Sequence, residues 1–203
     1  MKSQDSTPYY DHHAETLAYR ALREKSAGDL TSYLAEIASG GRILDLGCGS
    51  GCDLGYFRKA GYSGTGVEAS PKLAAIARVQ NPGIEIWEKN FLLLSLKEGE
   101  WDGVWANRSL HHFAPEAVQR VIGSVRRGLT AKGILGIIVY EGEAAFQDRG
   151  QDLGGPSRWI HPFSENGISS MIEQTGFKIV KVGRQAMSGN HPLPSLQILA
   201  KKI

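Results

Sequence analysis

The stretch R-I-L-D-L-G-C-G-S-G, Arg42 to Gly51, decides how the rest of the chain is read. A short run, apolar except for Arg42 and Asp45, has the length of a strand and ends in a turn holding Gly47, Gly49 and Gly51. Glycines permit positive φ and strip the Cβ atoms from one face of the turn, so a ligand can touch bare backbone there. The residues that follow, D-L-G-Y-F-R-K-A-G, read as a helix closed by Gly61. A strand, a glycine turn and a helix N-terminus in that order present free N–H groups and a partial positive charge to a carboxylate or phosphate.

Working outward, the pattern repeats. G-T-G-V-E-A reads as a second strand, and Ser70-Pro71 as an N-cap with proline at the first position of a helix through K-L-A-A-I-A-R-V-Q. I-E-I-W-E and G-V-W-A-N supply the third and fourth strands. Pro115 opens a helix through E-A-V-Q-R-V-I-G-S-V-R-R-G-L, and the almost wholly apolar G-I-L-G-I-I-V-Y-E suits a fifth strand covered on both faces. Ser164 caps a helix to Glu173, Gly176 ends it, and F-K-I-V-K-V-G and L-Q-I-L-A-K-K are the last strands. Upstream, Asp11 is placed to cap a helix running toward Lys25, and Asp29 a second reaching about Ser39. The alternation predicts an α/β fold: a Rossmann-like, doubly wound, seven-stranded sheet, mostly parallel, with helices on both faces. R-Q-A-M-S-G-N-H-P-L-P-S carries no helix signal, so the last strand returns antiparallel. One domain is expected over residues 1–203, with 1–40 as an N-terminal helical cap and the irregular segment 141–163 as a substrate loop.

The ligand follows from charge. The dinucleotide spacing G-x-G-x-x-G fails, because Cys52 or Leu54 stands where its third glycine belongs, and no Gly-Lys-Ser/Thr follows for a phosphate loop. Asp45 beside the turn would repel a pyrophosphate and attract a cation. A group with an ammonium near Asp45 and a carboxylate near the helix N-terminus is an amino-acid moiety. Glu68, at the end of the second strand, stands where a doubly wound site places an acid on ribose hydroxyls. An amino-acid end together with a ribose describes S-adenosylmethionine.

With I-L-D-L-G-C-G-S-G, G-V-E-A-S, W-E-K-N-F and W-D-G-V-W-A-N-R-S-L-H-H-F in this order, the chain resembles the class I S-adenosylmethionine-dependent methyltransferases over nearly its whole length. R-G-L-T-A-K-G-I-L-G-I-I-V-Y and I-S-S-M-I-E-Q-T-G-F-K-I-V-K-V are similar to later segments of that family, and Y-Y-D-H-H-A-E-T-L-A-Y-R to its N-terminal helix. The resemblance implies a single methyltransferase domain that binds S-adenosylmethionine and releases S-adenosylhomocysteine. It implies that Asp45, Gly47, Cys48, Gly49, Ser50 and Gly51 surround the methionine end. Glu68 would grip the ribose and Ala69 lie against the adenosine. Asn90, where the family often has Asp, and Phe91 would flank the adenine, and Asn107 would sit near the ammonium. Tyr10 and Tyr19 would close over the cofactor.

The acceptor half is less legible. His111 and His112, just past the fourth strand, are candidate catalytic bases. Tyr140 and Glu141, at the end of the fifth, are expected to face the acceptor. Arg149, Arg158, Trp159 and His161 in the long loop suit an anionic or flat substrate. No added domain is evident, so a small molecule is the expected acceptor. RNA or protein acceptors, a non-catalytic S-adenosylmethionine-binding module and an NAD-dependent oxidoreductase are the rivals. A net charge of +2, from 23 basic and 21 acidic residues, argues against nucleic acid. No apolar run has membrane-span length and no secretory leader is evident, so a cytoplasmic location is expected. Cys48 and Cys52, without a second pair, make a poor metal site, and none is expected.

Overall fold

The computed structural model describes residues 5–23, 27–150, 153–185 and 193–203. Seven strands form one sheet in the order β3-β2-β1-β4-β5-β9-β8: β1 (Arg42–Leu46), β2 (Ser63–Glu68), β3 (Glu85–Glu88), β4 (Trp101–Asn107), β5 (Leu129–Tyr140), β8 (Phe177–Gln185) and β9 (Ser195–Lys202). β1 to β5 pair in parallel, and β9 runs antiparallel to both β5 and β8. The order reverses between β1 and β4, so the glycine turn after β1 lies at the switch point where such sheets bind ligands.

Alternating side chains of each strand feed two cores. Leu44, Val104, Ala106, Leu135 and Ile137 point to one face, against α6 (Pro115–Gly128) and α7 (Glu165–Gln174). Ile43, Trp105, Ile134 and Ile138 point to the other, against α3 (Ala27–Leu34), α4 (Cys52–Lys59) and α5 (Pro71–Gln80). Trp105 is opposite Gly136 in the β4–β5 register, and a Cβ at Gly136 would collide with the indole. Tyr33 of α3 packs on the same indole at 4.7 Å between centroids.

Two segments differ from the sequence expectation. The N-terminal helix is two helices, α1 (Thr7–His12) and α2 (Ala14–Arg23), and begins at Thr7, with Pro8 in its first turn, rather than at an Asp11 cap. Asp11 instead accepts from Ser70 Oγ (2.7 Å) and Lys72 N (3.0 Å), tying α1 to the start of α5. Asp29 falls inside α3 rather than before it. The stretch expected to be irregular carries an antiparallel hairpin, β6 (Phe146–Asp148) and β7 (Arg158–Ile160), whose three-residue strands are too short to leave an alternation signal. His161 N donates to His111 O (2.7 Å) and Phe163 N to Tyr140 O (2.9 Å), so the hairpin is held against the carboxyl ends of β4 and β5. Among the described residues no helix is long and apolar enough to cross a membrane.

Candidate functional site

A cavity of about 930 Å³ lies over the carboxyl ends of β1, β2 and β4, with α1, α2 and the β6–β7 hairpin on its far side. Asp45, Gly47, Cys48, Gly49, Ser50, Glu68 and Ala69 line it on the sheet side, joined by Asn90, Phe91 and Asn107.

The three glycines of the turn all have positive φ, and a Cβ would meet different surroundings at each. A Cβ on Gly49 would meet no protein atom within 4 Å, so its bare face is open. One on Gly47 would collide with Ser109 in the segment after β4. One on Gly51 would collide with Asn81, whose Nδ2 donates to Gly51 O (3.0 Å). Gly51 is not among the residues lining the cavity; its bare face packs against Asn81 and Ala77 at the end of α5. Gly51 is also the N-cap of α4 and supplies no side-chain cap, so first-turn N–H groups of that helix keep their capacity for an anion.

Asp45 is 1% exposed and neither carboxylate oxygen has a hydrogen-bond partner among the described residues. Burial, then repulsion from Asp53 and Glu68, holds its carboxyl well above the usual carboxylate range. A buried carboxylate without a donor is costly, and a cation beside it would remove that cost. Glu68 is buried too. Its Oε2 accepts from Gly49 N (2.9 Å) and its Oε1 from Ser70 N (2.8 Å), and the Ala69 N–H also hydrogen-bonds the carboxylate, bracing the turn. Burial raises its pKa although those N–H groups oppose the shift. Asn90 caps the short helical turn Phe91–Leu93, its Oδ1 accepting from Leu92 N (2.9 Å).

The outer wall is a fastened polar cluster. Arg158 donates twice to Asp148, through Nε (2.9 Å) and Nη2 (2.7 Å), as a cross-strand pair of the hairpin. Its Nη1 donates to Tyr10 Oη (2.6 Å), and its guanidinium lies over the Tyr9 ring at 4.6 Å. Tyr10 Oη is 2.5 Å from His112 Nε2, and His112 Nδ1 is 3.1 Å from Trp159 O. A carbonyl oxygen only accepts, so Nδ1 carries the proton and Nε2 accepts from the tyrosine. Burial and the Arg158 charge push His112 down to about 3, which keeps it neutral. The lone pair that a base would use is therefore engaged by Tyr10, and His112 acts as a fastener of α1. His111 is 1% exposed, stacks on Tyr140 at 4.3 Å and lines the cavity with it.

Several expected residues are elsewhere. Tyr19 is 60% exposed, accepts from Arg23 Nη1 (2.7 Å) and does not reach the cavity. Glu141 turns away to a bidentate pair with Arg184, both bonds 2.7 Å. Arg149, Trp159 and His161 are not on the cavity wall, and Arg158 is committed to Asp148 and Tyr10. The structure adds residues that the sequence reading did not single out. Asp53 lines the cavity two positions beyond the last glycine, visible in sequence only as a first-turn acid. Arg108, also on the wall, is the one non-glycine residue with positive φ (55°) among those described. Such strain costs roughly 1–3 kcal/mol and clusters at functional sites.

The chain matches the model of the methyltransferase-domain family over residues 13–182. It is 27% identical over 162 residues to an uncharacterized methyltransferase of Synechocystis, covering 71% of this chain and 70% of that relative. Among solved structures it is similar to an S-adenosylmethionine-dependent methyltransferase of Methanosarcina mazei, with TM-score 0.75, 20% identity, and coverage of 84% of this chain and 96% of that one. The 1,6-didemethyltoxoflavin-N1-methyltransferase of Burkholderia thailandensis aligns at TM-score 0.73 and 19% identity, over 100% of this chain and 91% of that one.

Proposed function

The chain belongs to the methyltransferase-domain family and is an S-adenosylmethionine-dependent methyltransferase, and from that premise we propose that its acceptor is a small molecule taken into the cavity beside the cofactor. The observation that carries this reading is the cover: α1, α2 and the β6–β7 hairpin lie across the cavity mouth and leave a volume of small-molecule size. A neighbour of the same fold is named for the methylation of a small heterocycle, which is consistent with that use.

The residues present suit the cofactor. The unpartnered Asp45 carboxylate and the Asn107 amide oxygen would meet the ammonium, and the uncapped start of α4 the carboxylate. The open face of Gly49 would lie along the chain of the methionine end. Glu68 would turn its remaining acceptor capacity to the ribose hydroxyls, with Ala69, Asn90 and Phe91 around the adenine. When bound, S-adenosylmethionine supplies a methyl group on a positively charged sulfur, already activated for direct displacement. What remains for the protein is to hold the acceptor in line and exclude water. Tyr10, Arg158 and Asp148 close the wall, and His111 would accept the acceptor's proton.

Titration calorimetry with S-adenosylhomocysteine, on wild type and Gly49→Val, tests the cofactor half. The expected outcome is binding by wild type and its loss in a variant that still melts cooperatively; undiminished binding would refute the assignment. S-adenosylhomocysteine release measured against a small-molecule acceptor panel, bulk tRNA and protein extract tests the acceptor half. Turnover confined to the small molecules is expected, and methylation of RNA or protein would replace that reading.

A further inference from the structure

Asp53 lies outside the glycine motif and outside every cofactor contact assigned above, yet it is tied to the site by two hydrogen bonds. Its Oδ2 accepts from Trp105 Nε1 (2.8 Å) and from Asn107 Nδ2 (2.9 Å). Trp105 is fully buried between Gly136 and Tyr33, so the indole is a rigid anchor for the carboxylate. Asn107 is held from its other side as well, its Oδ1 accepting from Arg108 Nε (3.2 Å). A carboxylate only accepts and a guanidinium only donates. The two partners therefore leave one orientation for the Asn107 amide: nitrogen toward Asp53, oxygen away from it.

That orientation matters because the two faces of an amide have opposite polarity. An ammonium needs the oxygen; a flipped amide would present N–H groups to it and repel it. We propose that Asp53 is a positioning residue for the amino-acid end of the cofactor: braced by Trp105, it locks the Asn107 amide with its oxygen available to the ammonium. The inference rests on the placement of that ammonium near Asp45 and Asn107 given under Proposed function. Asp53 thereby links the first turn of α4 to the end of β4, so that the two walls of the amino-acid subsite are set by one side chain.

The test uses two ligands and two substitutions in the full chain. S-adenosylhomocysteine carries the amino-acid end, and 5′-methylthioadenosine has the same nucleoside and sulfur without it. Dissociation constants are measured by calorimetry for wild type, Asp53→Leu and Asp53→Asn. Asp53→Leu removes the acceptor; Asp53→Asn keeps a carbonyl oxygen that can accept from both Trp105 and Asn107, and it is the variant expected to fold without penalty. For Asp53→Leu, S-adenosylhomocysteine is expected to weaken by tenfold or more while 5′-methylthioadenosine stays within twofold. Asp53→Asn should restore most of the S-adenosylhomocysteine affinity. Equal weakening of both ligands in Asp53→Leu would make Asp53 a structural residue only. No weakening of either would remove it from the site, and equal loss in both variants would show that its charge, not its acceptor geometry, matters. Each of these overturns the proposal. Failure of wild type to bind either ligand would instead overturn the cofactor site itself.

Discussion

Asp45 is held at the end of β1 at a free-energy cost that a bound cation would offset. Its two oxygens lack donors among the described residues, and Asp53 and Glu68 repel its charge. Its folded-state pKa is raised above the ordinary value of 3.8, so the folded form binds the proton more tightly than the unfolded form. Asp45 therefore imposes no penalty well below that ordinary value, and folded stability is lost as pH rises through the shifted value. Asp45→Asn is expected to raise the melting temperature of ligand-free protein at pH 7, by on the order of 1 kcal/mol of stability. The gain should shrink toward acid pH. The same variant should lose tenfold or more in S-adenosylhomocysteine affinity, about 1.4 kcal/mol. Thermal melts across pH, paired with calorimetry, check both; a variant less stable than wild type at pH 7 would contradict this account. At this scale the sequence was informative about Asp45, Gly49 and Glu68, because a short motif with fixed spacing carries its own geometry. It did not separate Gly49 from Gly51, since both take positive φ and only the packing of α5 tells them apart.

Among the elements, the cover over the cavity depends on a partly buried ion pair. The side chains of Arg158 and Asp148 are 12% and 17% exposed, and Arg158 also holds Tyr10. Removing one partner of such a pair leaves an uncompensated charge, which is worse than having neither. Arg158→Met is expected to cost on the order of 3 kcal/mol and to speed proteolytic cleavage within 142–157. The double variant Arg158→Met/Asp148→Leu should recover part of the stability. Denaturant melts and limited proteolysis measure this, and an unchanged cleavage rate in Arg158→Met would show that the pair does not fasten the hairpin. Many strands and helices of the sheet were legible from an apolar run, as in β5, or from a cap, as with Ser70 and Ser164. The hairpin was not, because its stability comes from Asp148–Arg158 and from backbone bonds to His111 and Tyr140, not from its own pattern.

At the scale of the whole molecule, the sheet, α3 and the site meet at Trp105. Gly136 leaves room for the indole, Tyr33 covers it, and its Nε1 reaches Asp53 at the cavity edge. Gly136→Ala would drive a methyl group into that ring, and a destabilisation of about 1–3 kcal/mol is expected. Urea unfolding of the variant checks it, and wild-type stability would mean that the indole can shift at no cost. The order of strands and helices, the glycine turn at the switch point and the acid ending β2 were determined by the sequence alone, through periodicities and spacings that act over a few residues. How His112 is tied to Tyr10, which loop side chains face the cavity and how the Asn107 amide is turned were decided only by the tertiary structure. Tyr10 meets His112 across 102 positions and Arg158 across 148, and hydrogen-bond partners at such separations leave no trace in local pattern.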